Sequence, residues 1–186
     1  MEDVMFEGTT DFLKNGCRFT IKGPSVLVID RSKPFDPAKF VGDGCSVWRG
    51  PRDGKGLEGD EAQDARSLAL AEIDFSRVRF ESGLIKSEST IVGEEKLVRL
   101  MAMPEIRLDA KFGQALYEES GQATLCFLHE HFGVSWLEFA GTVLRHSGGG
   151  RYFLCLDRRV DGSWNWRYYW LDSDRARDDV SPLLAS

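Results

Sequence analysis

The chain has 186 residues, of which 42% are hydrophobic and 29% are charged, a composition typical of a folded globular protein rather than a disordered one. Its net charge of -6 at pH 7 argues against nucleic acid or an anionic membrane surface as the partner. A chain of this length buries enough apolar surface to fold without disulfides or metal, and we expect one domain over residues 1–186.

Targeting signals are not recognisable in the sequence. The first residues, MEDVMFEGTTDFLKNG, are acidic and lack the apolar stretch of a signal peptide. No apolar run reaches the ~20 residues of a membrane helix. The four cysteines, Cys17, Cys45, Cys126 and Cys155, lie far apart and form no C-x-x-C motif. These features predict a cytoplasmic protein with reduced thiols and no membrane partner.

Residues 1–35 predict an N-terminal extended pair. CRFTIKG (17–23) alternates apolar and polar residues, and SVLVID (25–30) is a β-branched run. Gly23 and Pro24 stand between them and favour a turn, so the two runs are expected to pair with each other.

The segment FDPAKFVG (35–42) predicts one helical turn that begins at Asp36 and ends at Gly42. Residues 42–60 follow and are rich in glycine and charge, which indicates a flexible loop or a functional lid. Trp48 lies in this loop, where it either pins the loop to the body of the protein or contacts a ligand.

Residues 60–120 form a predominantly helical region in this interpretation. We predict helices over 60–73, 93–103 and 107–120. Asp60 and Asp109 are suited to cap the first and the third of them. Within the third helix Gly113 should cost about 1 kcal/mol relative to alanine.

Two further segments of the middle region are less regular. Residues 74–84 alternate apolar and polar side chains and predict a strand. TLCFLHEHFG (124–133) fits either a helix or a strand, and its His129 and His131 would share a face only in a strand. His146 is the only other histidine, so a zinc site is not supported and we expect no metal ligands.

Residues 134–172 predict an antiparallel sheet. Its three runs, WLEFAGTVLR, RYFLCLD and SWNWRYYWLD, are separated by HSGGG and RRVDG. Asp161 and Gly162 are the strongest hairpin signal, because a two-residue type I′ turn needs two positive φ angles. Such a turn places Arg159 opposite Trp164, and the sheet should be covered on both faces at its base.

A stripe of aromatic residues runs along the last strand. Trp164, Trp166, Tyr168 and Trp170 alternate and therefore share one face. We expect Tyr168 and Trp170 to belong to the core at the base of the hairpin. Trp164 and Trp166 lie near its tip beside Arg159, where they either pack structurally or form a recognition surface.

Catalytic motifs are not recognisable. GPRDGKGL contains a Gly-Lys pair, but Lys55 is followed by Gly56 rather than by serine or threonine, so it is not a P-loop. No G-x-S-x-G sequence is present to form a nucleophile elbow. We therefore assign no catalytic residue and expect no cofactor.

Four stretches of the chain resemble a group of short bacterial proteins without an assigned function. They are IDRSKPFDPAKFVG (29–42), WRGPRDGKGLEGDEAQDARSLALAEIDFSRVRF (48–80), GEEKLVRLMAMPEIRLDA (93–110) and GTVLR (141–145). The resemblance covers most of the chain from about residue 29 onward. Because that group has no assigned ligand or activity, the resemblance implies no site residue.

The predicted fold is α+β, with a C-terminal antiparallel β-meander of three or more strands packed against two or three helices and a tail over residues 173–186. The leading functional hypothesis is a non-enzymatic binding module for a protein or small-molecule ligand. Its predicted binding residues are Trp164, Trp166, Arg159 and Trp48.

Two other hypotheses remain open. The first is a small hydrolase-like enzyme with a cleft under loop 42–60 that contains His129, His131 or acidic residues. The second is a homodimer that hides part of the aromatic surface.

Overall fold

The computed structural model describes residues 26–47 and 63–185, and it confirms a mixed α+β fold built on antiparallel sheets. Five short helices lie in these residues: α1 (Ala38–Val41), α2 (Ala65–Leu68), α3 (Gly93–Met101), α4 (Ala110–Glu118) and α5 (Ala123–Phe132). Phe75–Arg77 and Ser120–Gln122 add two short 3-10 helices. None of the helices in the described ranges combines the length and apolar character required to cross a bilayer.

The described strands form four antiparallel sheets. The central sheet has four strands in the order β2 (Cys45–Val47), β7 (Trp136–His146), β8 (Arg151–Arg158) and β9 (Trp164–Trp170). A three-stranded sheet has the order β4 (Val78–Glu81), β11 (Ser181–Leu184) and β6 (Ile106–Arg107). Two pairs complete the set: β1 (Val26–Val28) with β3 (Glu72–Asp74), and β5 (Ile91–Val92) with β10 (Asp174–Arg175).

The central sheet is covered on both faces, as its sequence predicts for the base of the hairpin. Every residue from 152 to 156 of β8 is buried. The even-numbered residues belong to the main core with apolar residues of α4 and α5. On the opposite face Phe153 and Cys155 pack with Leu97 and Leu100 of α3. This two-sided burial explains why β8 reads as a continuous apolar run.

A bulge in β7 brings the central sheet against the polypeptide that leads into α4. The register of β7 with β8 shifts between Glu138 and Val143. Within this interval the amide of Gly141 donates to the carbonyl of Leu108 at 3.0 Å. A β-carbon at Gly141 would lie only 2.2 Å from the carbonyl oxygen of Arg107, so this approach requires glycine.

A second glycine permits α4 to approach the same strand. A β-carbon on Gly113 would lie 2.5 Å from two ring carbons of Phe139 in β7. Its cost to helix propensity is therefore offset by close packing of α4 on the sheet, which the sequence alone does not reveal.

The helix predictions in the second half of the chain are confirmed with small shifts of their bounds. Asp109 caps α4, and its carboxylate accepts a hydrogen bond from the amide of Phe112 at 3.1 Å. The ambiguous stretch 124–133 is helical, and Gly133 ends α5 with a φ of 68°. In α3 Leu97 and Leu100 are buried, whereas Met101 is exposed.

The predicted helix over residues 60–73 is confirmed only for α2. Its described N-cap is Asp64, whose side chain accepts from the amide of Arg66, whereas Asp60 lies outside the described residues. The later part of the stretch forms β3 instead, where Ile73 is 1% exposed and pairs with Leu27. Strand pairing and burial of Ile73 therefore override the helical preference of the segment, and the region 60–120 is not purely helical.

The described part of the N-terminal region contains only one of the two predicted strands. β1 pairs with β3, a segment more than forty residues away, and the predicted pairing with residues 17–23 lies outside the described residues. The predicted loop 42–60 begins with β2, which pairs with the end of β7. The rest of that loop, from residue 48, is not among the described residues.

The prediction of a tail over residues 173–186 is wrong. This segment forms β10 and β11, and β11 lies between β4 and β6 with all four of its residues buried. The run Ser-Pro-Leu-Leu is too short to show a strand period by itself. It forms a strand because β4 and β6 supply backbone hydrogen-bonding partners on both sides and its side chains are buried.

Three fully buried charged side chains connect α3, β7 and β10. Lys96, Glu138 and Arg175 are each 0% exposed. The ammonium of Lys96 lies 2.7 Å from one carboxylate oxygen of Glu138, and Nε of Arg175 lies 2.5 Å from the other. Nε1 of Trp136 donates to the same carboxylate at 3.3 Å. We call these three charged residues the buried triad.

Backbone carbonyls accept further hydrogen bonds from the two cations of the buried triad. Lys96 also donates to the carbonyl of Asp179 at 2.6 Å. Arg175 donates to the carbonyls of Ser173 and Trp170 at 2.8 and 2.7 Å. Buried charges are tolerated when they are paired and hydrogen-bonded in this way, so the triad ties the C-terminal segment to α3 and β7.

The triad should respond unequally to loss of its members. Glu138→Gln removes the carboxylate that both buried cations bind, and we expect it to lower the free energy of unfolding by about 3–5 kcal/mol. Lys96→Met leaves the neutral pair of Arg175 with Glu138 and should cost less. Urea denaturation measures both changes. The exposed Glu95→Gln serves as the control, and an equal loss in the two triad variants would contradict the proposed charge balance.

Gly113→Ala provides a test of the close contact between α4 and β7. Helix propensity alone predicts a gain of about 1 kcal/mol, but overpacking against Phe139 should reverse the sign and cost about 1–3 kcal/mol. Adding Phe139→Leu, which removes ring atoms from the contact, should recover part of the loss. A stabilised Gly113→Ala variant in urea denaturation would show that the contact is not tight.

Candidate functional site

The turn between β8 and β9 is one residue longer than the sequence predicts. The amide of Gly162 donates to the carbonyl of Arg159 at 2.9 Å, and the amide of Arg159 donates to the carbonyl of Ser163 at 2.8 Å. Gly162 has a φ of 89°. These bonds define a three-residue loop, Val160 to Gly162, with a type I turn followed by a left-handed glycine. The predicted two-residue type I′ turn is therefore wrong.

The longer loop shifts the register of the hairpin by one residue. Trp164 is paired with Arg158 and not with Arg159, and Trp170 is paired with Tyr152. The alternating residues of β9 still share one face, because the period of a strand does not depend on its register. However, Arg159 lies at the base of the turn, and its Nε is 3.8 Å from Asp157. The expected pairing of Arg159 with an indole at a projecting tip does not occur.

Burial along the aromatic stripe runs opposite to the prediction. Trp164 is 2% exposed, whereas Trp170 is 48% exposed. Trp166 is half-buried and its ring centroid lies 5.1 Å from that of Phe40 and 5.4 Å from that of Tyr117. The short helix α1, with Phe40, covers the tip of the hairpin, and the aromatic residues at the opposite end are left open.

The predicted binding residues therefore fall in different environments. Trp164 and Trp166 are packing residues in the structure, and in the described residues neither indole Nε1 has a hydrogen-bond acceptor. Arg159 is half-exposed at the turn. Trp48 lies outside the described residues. The structure does not bring these four side chains together as one described surface.

The open end of the stripe forms a cluster of rings that we call the aromatic platform: Trp170, Tyr168, His146 and Tyr152. Tyr152 is 2% exposed, and its ring centroid lies 5.0 Å from those of both Tyr168 and Trp170. His146 stacks beside Tyr168 at 6.2 Å. Burial raises the pKa of Tyr152 above its ordinary value, with a further contribution from Tyr168. The platform thus has a buried centre with partly exposed rings around it.

Glycines bring the backbone close to these rings. Gly150 has a φ of 83°, and a β-carbon there would lie 3.4 Å from both Trp170 and the hydroxyl of Tyr152. Gly44 has a φ of 97°, and a β-carbon there would lie 2.9 Å from Nε2 of His146. The HSGGG turn is therefore a structural part of the platform, because residues with side chains would be strained in these conformations.

The opposite face of the same strand end presents Tyr169, which is 37% exposed. Its ring lies over the guanidinium of Arg175, at 4.2 Å from the ring centroid, and meets Trp136 edge-on at 5.6 Å. Arg175 belongs to the buried triad, so this cation–π contact holds an exposed ring against a fixed charge. Both faces of β9 therefore carry a large exposed aromatic side chain at the same end.

The two histidines of the hydrolase hypothesis are engaged by their own helix. Nδ1 of His129 lies 3.2 Å from the carbonyl of Val134, just beyond the end of α5. His131 is exposed and stacks on Phe127 with ring centroids 4.1 Å apart. Within residues 26–47 and 63–185, no group of three or more histidine, cysteine, aspartate or glutamate side chains is placed to hold a metal ion.

Comparison with known proteins gives no match to a protein-family model, to a curated protein or to a solved structure. The resemblance to short bacterial proteins accordingly stays a prediction. The functional interpretation depends on the geometry of the site alone.

Sequence reasoning missed Trp170, Tyr169 and His146 as candidate site residues. Two features of the sequence indicated which end of the stripe is covered and which end is exposed. The phenylalanines of FDPAKF (35–40) flank a helical turn and are available to cover other aromatic rings. The three glycines of HSGGG indicate close approach of the backbone at the other end of the hairpin.

Replacement of individual tryptophans should distinguish packing from surface residues. Trp164→Ala removes a buried indole and should lower the free energy of unfolding by about 3–5 kcal/mol. Trp170→Ala removes a half-exposed ring and should change it by less than about 1.5 kcal/mol. Urea denaturation measures both. Acrylamide should quench the fluorescence of Trp170 more than that of Trp164, and a fully protected Trp170 would contradict the described exposure.

Proposed function

We propose that the chain is a non-enzymatic binding module that captures a protein partner on the aromatic platform. The observation that carries the proposal is the indole of Trp170, which is 48% exposed and yet packed against Tyr152 and beside Gly150. Large aromatic side chains dominate the energetics of protein interfaces, because they bury much apolar surface with few rotatable bonds.

Preorganisation supports this role. Trp170 and Tyr168 each contact the buried ring of Tyr152, and Tyr169 rests on Arg175. Since these rings are already in contact with buried groups, binding would cost little additional side-chain entropy. An exposed ring without such contacts would lose more freedom when a partner covers it.

The charge around the platform favours a protein segment over nucleic acid. Exposed Asp172 follows the platform strand and acts electrostatically on Tyr152. The whole chain has a net charge of -6, which would repel a phosphate backbone. A partner that offers an apolar ring or a lysine or arginine side chain suits an exposed indole that is followed in the chain by an exposed carboxylate.

A cytoplasmic location is part of the proposal. Cys45, Cys126 and Cys155 are free thiols in the structure, and Cys45 and Cys155 are buried. Burial raises the pKa of both of these thiols, which keeps them protonated and unreactive. Free, unreactive thiols are compatible with a reducing compartment.

Replacing Trp170 with alanine tests the proposal directly. The tagged full chain is used to isolate its partner from cells that contain it, and the affinity for the purified partner is then measured by calorimetry. We expect Trp170→Ala to weaken binding by at least about thirtyfold, the effect of an interface hot spot worth about 2 kcal/mol. Tyr169→Ala reports whether the opposite face of β9 takes part.

Met101→Ala is a matched control, because Met101 on α3 is also 48% exposed. Equal affinities of the Trp170→Ala and Met101→Ala variants would overturn the proposed platform. Sedimentation of the wild-type chain at two concentrations separates capture of another protein from self-association. A dimer that Trp170→Ala dissociates would identify a second copy of the chain as the partner.

A further inference from the structure

We propose that a cavity at the start of α4 binds a small oxyanion, a phosphate or carboxylate group that carries an apolar or aromatic fragment. The cavity has a volume of about 290 Å³. Among the described residues that line it, three are cations, Arg31, Lys33 and Lys111, and one is a carboxylate, Asp109. This inference does not depend on the aromatic platform or on the proposed protein partner.

Lys111 lies between this cavity and a neighbouring one, which Asp30, Gln114 and Glu118 also line. It is only 7% exposed, and its ammonium donates to the side-chain oxygen of Gln114 at 3.0 Å. Within the described ranges it has no carboxylate at ion-pair distance, and Asp30 acts on it only at longer range. The other buried lysine, Lys96, has a carboxylate at 2.7 Å. A buried ammonium without a close counter-charge is unfavourable, and a bound oxyanion would supply that charge.

A second buried donor lines the same cavity. Thr142 is 3% exposed and lines the cavity. Its hydroxyl accepts a hydrogen bond from the amide of Ala110 at 3.0 Å. Its own proton has no acceptor among residues 26–47 and 63–185. A hydroxyl and an ammonium group that line the same cavity are suitable donors for an oxyanion.

The carboxylate in the wall does not oppose anion binding. Arg31 binds both oxygens of Asp109, at 2.5 and 3.2 Å, and also donates to the carbonyls of Ser67 and Leu70 at 2.8 Å. Asp109 also caps α4. The negative charge of Asp109 is therefore compensated by Arg31. The positive charges of Lys33 and Lys111 remain to act on a ligand.

The remaining walls determine the class of anion. Apolar side chains of Pro34, Phe35, Val47 and Leu68 line the cavity together with the cations. A free inorganic ion would leave this apolar surface uncovered, whereas a fragment such as a phenyl ring would bury it. The geometry therefore favours a phosphate monoester or carboxylate with an attached ring over the bare ion.

Calorimetry of the full chain with phenyl phosphate and with inorganic phosphate, at constant ionic strength, tests the site. We expect saturable binding of phenyl phosphate that is tighter than that of inorganic phosphate. Lys111→Met should weaken it by about tenfold to a hundredfold, the effect of one charge-assisted hydrogen bond. Lys33→Met, at an exposed position, should weaken it less, and exposed Lys39→Met on α1 is the charge-matched control.

Folding and binding effects are separable in this design. The thermal midpoint of Lys111→Met without ligand should be unchanged or higher than that of the wild type, because the variant removes a buried charge that has no ion-pair partner among the described residues. Absence of saturable binding to the wild type up to about 10 mM phenyl phosphate would overturn the proposal. Equal weakening by Lys111→Met and Lys39→Met would overturn it as well, since it would reduce the effect to net charge.

Discussion

The carboxylate of Glu138 is the interaction on which the architecture most depends. It lies inside the protein between Lys96 and Arg175, with all three side chains fully buried. Each of these residues comes from a different part of the chain, so neutralising one charge requires all three segments to be in place. Because an unpaired buried ion is much costlier than a missing apolar contact, the triad specifies how α3, β7 and the C-terminal segment assemble.

The exposed aromatic rings are a consequence of the same arrangement. Arg175 holds the carbonyl of Trp170 and lies beneath the ring of Tyr169, so the end of β9 is joined to the triad. At the other end of the strand, Phe40 covers Trp166 and encloses the tip. One strand therefore carries packing tryptophans at its start and recognition candidates at its end, although its residue types hardly change along its length.

Most of the local structure could be predicted from the sequence. The α+β class, the cap of α4 at Asp109, the sheet over 134–172 and its two-sided burial all follow from short-range patterns. The hairpin register could not, because Asp161-Gly162 suits both a two-residue turn and a three-residue turn with glycine at its last position. The predicted candidate site contained the same error, because a register shift of one residue changes the cross-strand partner of every residue in β9.

Periodicity, capping residues and turn chemistry were determined by the sequence itself, because they depend on neighbours within a few positions. Which end of the aromatic stripe is covered was decided only by the tertiary structure, as were the strand role of Ser181–Leu184 and the burial of Lys96. These features depend on segments distant along the chain. A tryptophan or a lysine has the same local preferences whether or not a remote helix or carboxylate lies against it, and only that remote group decides its energy.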